Sequence, residues 1–174
     1  NLKKENDTLK NSLGLELNKN FKLNLVNIIS KDVAKDALLV DKGEGDGISK
    51  NMAVITEDKI AVGRVSEVYK NFSKITLISD KESYFDANIL NKDVSGMVKG
   101  SGNFKIYFDL VPRDKDVSRG DVIITSSLGG IFPAGLLIGE VSGVNKNDLD
   151  PFQKVKINQF FDINKTISLF VIMK

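Results

Sequence analysis

The 174-residue chain contains no cysteine and no histidine. The first absence excludes disulfides, thiolate metal sites and cysteine nucleophiles. The second removes the commonest general base and the commonest zinc ligand. Tryptophan is also missing, and proline occurs three times. Arginine occurs only at Arg64, Arg113 and Arg119. No apolar run approaches the roughly 20 residues that a membrane-crossing helix needs; "ISLFVIM" (167–173) is among the longest. No secretory signal stands at the start. Net charge is only +2, from 25 basic and 23 acidic residues. The positive residues are not gathered into a strip, which argues against nucleic acid as the main partner.

The chain does hold 41% apolar residues, enough for a packed core in one large domain or two small ones. It begins at Asn1 rather than Met, so it is expected to be a piece of a longer protein, and any membrane anchor would lie upstream of it. The opening stretch "NLKKENDTLKNSLG" reads as a helix. Leu2 and Leu9 take d positions of a heptad, and Asn6 and Leu13 take a positions. Leucine at d with one asparagine at a favours a parallel two-stranded coiled coil. Leu2, Asn6, Leu9 and Leu13 are therefore the expected dimerisation residues. Two heptads are few for an isolated helix; the alternative is a short amphipathic helix packed on its own domain.

After Gly14 the helical period vanishes. Twelve short segments rich in Val, Ile, Phe and Tyr follow, separated by Gly, Asn, Asp and Lys, which is the pattern of small all-β domains. Six fall between 22 and 90 and six between 94 and 173. The two sets also resemble each other. "SKNMAVIT" (49–56) aligns with "SRGDVIIT" (118–125), and "VGRVSEV" (62–68) with "IGEVSGV" (138–144). Thr56 then matches Thr125, and Gly63 matches Gly139; chance similarity between hairpins is the alternative to a true repeat. The two glycines are expected at bulges or close backbone approaches. The expected fold is all-β: two six-stranded β-barrels in tandem, preceded by a short N-terminal α-helix. The expected divisions are 1–14, 15–93 and 94–174, with terminal strands free to cross between barrels.

Within the repeat, "SSLGGIFPAGLL" (126–137) replaces "EDKIA" (57–61). Long structured loops in compact domains are often functional. Ser126 or Ser127 as a nucleophile would need a base, and without histidine only a lysine could serve. The strand–elbow–helix context of G-x-S-x-G is also missing, so a hydroxyl-rich turn is the better reading. "DKGEGDG" (41–47) fits neither a phosphate loop nor a calcium loop and reads as a glycine-rich turn. Ile131 and Phe132 either fold back on their own barrel or form an interaction surface with Ser126, Ser127, Leu128 and Pro133. Neither cofactor nor metal site is expected.

Glu5 to Gly14, "DKGEGDGISKNMAVI" (41–55), "VGRVSEV" (62–68) and above all "RGDVIITSSLGGIFPAGLLIGEVSGV" (119–144) resemble the rod shape-determining MreC family. The chain departs from it in its sparse arginine and in Ser127, where the family often has glycine. The resemblance implies a single-pass protein of the cytoplasmic membrane, with this region on the extracytoplasmic side. It implies a non-enzymatic scaffold of cell elongation and peptidoglycan synthesis, built from two small β-barrels and dimerising through its helix. The implied partners are other copies of itself, MreD, RodA and a class B penicillin-binding protein. The alternative is an oligosaccharide-binding or hydrolytic barrel of the cell envelope, since small barrels host both.

Overall fold

A computed structural model describes residues 21–126, 130–147 and 149–173. The N-terminal helix expected over 1–14, and with it Leu2, Asn6, Leu9 and Leu13, lies outside the described residues. The described residues form twelve strands: β1 (Lys22–Asp32), β2 (Ala37–Val40), β3 (Ala53–Ile55), β4 (Ala61–Val68), β5 (Ser73–Leu77), β6 (Tyr84–Ile89), β7 (Ser95–Gly102), β8 (Lys105–Pro112), β9 (Val122–Thr125), β10 (Leu137–Asn145), β11 (Phe152–Gln159) and β12 (Ser168–Met173). Each coincides with one of the segments expected from the sequence.

The strands close into two six-stranded antiparallel barrels. The first runs β1-β12-β3-β4-β5-β2 and the second β10-β11-β8-β7-β6-β9. Sheet membership differs from a division at 93/94 in two strands. β6 pairs with β7 and β9 of the second barrel, and β12 pairs with β1 and β3 of the first. Setting β12 equivalent to β6 gives both barrels the same strand order, so the chain's last strand completes its first unit.

Burial explains why β12 sits there. Leu169 and Val171 face the first barrel's core, while Phe170 and Ile172 join the second barrel's cluster. Both faces of the strand are covered, and a strand buried on both faces reads as a continuous apolar run rather than an alternation. Leu23 of β1 and Ala53 and Ile55 of β3 add to the same shared cluster. The two cores therefore touch through the outer face of β12 and its neighbours.

The internal repeat survives in the register. Val54 pairs with Gly63 and Ala53 with Arg64; at the matching positions Ile123 pairs with Gly139 and Val122 with Glu140. A Cβ at Gly63 would stand 2.1 Å from the Thr76 carbonyl oxygen, and one at Gly139 would stand 2.5 Å from that of Asn158. The register shifts beside both glycines. Each is thus a place where a neighbouring backbone comes too close for a side chain.

A second junction is polar. Asp36, 4% exposed, lies on the first barrel with left-handed backbone at φ 47°. Its carboxylate accepts the Ser79 hydroxyl at 2.8 Å. It also accepts the backbone N–H groups of Asn103 at 3.2 Å and Phe104 at 2.8 Å. Those two residues form the tight β7–β8 turn of the second barrel, with φ of 54° and 58°. A bulky residue in that region costs roughly 1–2 kcal/mol. The charge-assisted bonds from Asp36, and the Gln159 amide donating to the Phe104 carbonyl, oppose that cost.

Candidate functional site

The loop that distinguishes the second repeat unit begins where β9 ends. The Thr125 hydroxyl donates to the Pro133 carbonyl at 2.7 Å and accepts the Leu136 N–H at 2.9 Å. The Thr125 N–H donates to the Leu136 carbonyl, and the Gly135 N–H donates to that of Thr125. These bonds tie the far end of the loop to its start. Ser126 is buried, and its N–H donates to the Asp86 carbonyl at 3.1 Å. Ile131 and Phe132 turn inward and pack half-buried against the second barrel's cluster. The Phe132 ring lies 5.0 Å from that of Phe85, tilted by 59°. Ser127 and Leu128 lie outside the described residues.

Phe132 and Ile131 also form part of the floor of a cleft of about 660 Å³ between the barrels. Its first-barrel wall carries Lys50 and Arg64; the connection and second-barrel wall carry Asp80, Glu82, Tyr84 and Asp86. Strand alternation sets this up. Phe85 and Ala87 of β6 point into the barrel, so Tyr84 and Asp86 project outward beside Met97, the register partner of Asp86. Tyr84 is 69% exposed. The Arg64 guanidinium donates to the Asn51 side-chain oxygen at 3.3 Å. Among the described residues no ion pair joins the two walls.

The glycine-rich 41–47 segment is a packing turn. Glu44 and Gly45 donate backbone N–H groups to the carbonyls of Tyr69 and Lys70 at the β4–β5 hairpin. A Cβ at Gly43 would stand 2.1 Å from the Tyr69 carbonyl oxygen. Asp41 accepts the Asn27 N–H at 2.8 Å, and chiefly that bond holds its carboxyl below the usual carboxylate range. Among the described residues no group of three or more acidic side chains could hold a metal ion.

Sequence reasoning singled out the loop but missed the facing wall of the cleft. Lys50 and Arg64 sit in ordinary turn and strand contexts, and Tyr84 and Asp86 are the polar half of an unremarkable strand. Only the meeting of two barrels makes them neighbours. Asp36 was missed for the same reason: its partners lie 43 to 68 residues away in the chain.

Two closed six-stranded barrels whose cores touch, with a cleft of mixed charge between them, define a double-barrel all-β module. The chain belongs to the MreC family. The model described as rod shape-determining protein MreC, barrel core, matches residues 27–173. The cell shape-determining protein MreC of Escherichia coli K12 is 33% identical over 145 residues, which cover 82% of this chain and 39% of that protein. The chain thus spans about two-fifths of that curated relative. A solved MreC from Listeria monocytogenes superposes with a TM-score of 0.79 at 28% identity, covering 99% of this chain and 85% of that one. Another, described as the major periplasmic domain of the cell shape-determining filament MreC, gives 0.73 at 22% identity, with coverages of 88% and 96%. The MreC of Helicobacter pylori, solved in complex with the penicillin-binding protein PBP2, gives 0.69 at 18% identity, with coverages of 88% and 99%.

Proposed function

We propose that the chain is the extracytoplasmic part of a membrane-anchored scaffold for cell-wall elongation, without enzymatic activity of its own, that binds a PBP2-type synthase through its barrels. The observation carrying this reading is the inter-barrel cleft, which offers aromatic and charged side chains from two closed barrels. Both barrels are closed, so recognition must run through side chains and not through strand addition to a free sheet edge. The Helicobacter pylori relative bound to PBP2 supports the choice of partner. RodA and MreD are further proposed partners. The proposed division of labour gives dimerisation to residues 1–14, with Leu2, Asn6, Leu9 and Leu13 in the seam. The loop 126–137 then serves mainly to pack the second barrel, with its Ile131–Phe132 end forming part of the binding cleft.

The test is direct binding of the purified chain to the extracytoplasmic region of the cognate PBP2-type protein. Saturable binding at micromolar concentration or tighter supports the scaffold; no binding sinks that partner. The hydrolytic alternative is tested by assaying cell-wall fragments and peptides. Turnover that disappears in Ser126→Ala would replace the scaffold reading. The helix is tested by Asn6→Ile with the upstream sequence restored, which is expected to associate more tightly and to lose dimer-only behaviour.

A further inference from the structure

We infer that the inter-barrel cleft takes an extended segment of the synthase partner, in which an apolar side chain is flanked by a carboxylate on one side and a cation on the other. The inference rests on the scaffold reading and names the surface and chemistry that reading needs. The cleft has a polarity. Lys50 and Arg64 line it from the first barrel, and Asp80, Glu82 and Asp86 line it from the connection and the second barrel. Tyr84, Phe85, Met97, Ile131 and Phe132 supply its aromatic and apolar lining.

Opposite charges lining a narrow cleft would ordinarily pair across it. Here they do not: the walls are joined by no ion pair among the described residues, and Arg64 is satisfied only by Asn51. Two contacts also tie the barrels to each other. Asp36 and the β7–β8 turn fix one junction, and the Leu137 N–H bonded to the Lys59 carbonyl at 3.0 Å fixes another. Charges that line a cleft without pairing across it are available to pair those of an occupant. An incoming carboxylate meets Lys50 and Arg64, an incoming cation meets Glu82 and Asp86, and the side chain between them covers Tyr84 and Met97. Tyrosine and arginine are the residue types that most often anchor such contacts. Complementary charges add registration and a fast, salt-sensitive approach.

The experiment measures binding of the full 174-residue chain to the extracytoplasmic region of the cognate PBP2-type protein, at low and high salt. Tyr84→Ala, Glu82→Lys and the double variant Lys50→Glu with Arg64→Glu are each expected to weaken binding by about tenfold or more. The double variant should also lose most of the salt dependence seen in the parent. Lys70→Glu, on the hairpin tip away from the cleft, should bind like the parent. Tyr84 and Glu82 are exposed, so their variants fold even if the Arg64 change does not. Parent binding with unchanged affinity in Tyr84→Ala and Glu82→Lys overturns the cleft while leaving the scaffold standing. Failure of the parent to bind removes both. Variants that alter sedimentation of the chain alone, with partner affinity intact, would make the cleft a contact between copies and overturn the assignment.

Discussion

The connection from β3 to β4 and the one from β9 to β10 are the same device at two lengths. In the first barrel the Thr56 hydroxyl accepts the Ile60 N–H at 3.2 Å; in the second the Thr125 hydroxyl accepts the Leu136 N–H at 2.9 Å. The Lys59 N–H donates to the Thr56 carbonyl as the Gly135 N–H donates to that of Thr125. Lys59 has φ 62° and Gly135 has φ 89°, so the left-handed position is kept as well. The insertion lies inside this shared closure. What differs is the payload: the longer connection delivers Ile131 and Phe132 to the second barrel's cluster. The first barrel instead receives Phe161 and Ile163 from the segment that leads into β12. The closure is thus a fixed frame, and packing demand decides what is hung from it.

Replacing 126–137 by "EDKIA" would break the comparison most sharply. The Thr125 closure can re-form, because isoleucine then takes the place of Leu136. Ile131 and Phe132 are lost, and stability should fall by about 3–5 kcal/mol, the range for losing large core side chains. Urea unfolding measures it; an unchanged midpoint would show that the loop does not pack the barrel. Asp36→Ala should cost about 2–3 kcal/mol, because it removes the acceptor of two part-buried backbone N–H groups and of the buried Ser79 hydroxyl. It separates what the barrels owe to each other from what each owes to its own connection. The loss should appear in unfolding together with faster hydrogen exchange at Asn103 and Phe104.

The two threonines allow a finer comparison. Each hydroxyl makes two hydrogen bonds, but Thr125 is buried and Thr56 is half-exposed. Thr125→Val should cost about 2 kcal/mol and Thr56→Val about 1 kcal/mol or less. Equal costs would mean that burial does not matter at this position. The smallest effect sits at the left-handed residue. Gly135→Ala should destabilise by about 1 kcal/mol, since an added Cβ disfavours left-handed backbone. Melting curves of the parent and the variant read it.

Much of this was legible in the chain. The twelve strands show as short β-rich segments between turn residues, and the Thr56/Thr125 and Gly63/Gly139 matches foretold a shared register. The glycines were readable because a strand-interior glycine has few causes, and close backbone approach is one of them. The placement of β6 and β12 was not legible. "YFDANIL" (84–90) looks like the last member of a first set, and "ISLFVIM" (167–173) like the last of a second. Nothing local to either segment names its hydrogen-bond partners. Phe132 was readable as important but not as inward-facing, because an apolar loop residue looks the same whether it meets its own barrel or a partner.

By itself, the sequence determined the all-β class, the number of strands, the repeated closure and the exclusion of a His-based triad. These depend on side-chain periodicity, turn chemistry and composition, which act over a few residues or over none. Tertiary structure alone decided that the last strand completes the first barrel. It also decided that Asp36 pins a turn 67 and 68 residues away, and that Lys50 and Arg64 line one cleft with Glu82 and Asp86. Those outcomes depend on burying the second face of β12, a contact between segments distant in the chain that no local pattern records.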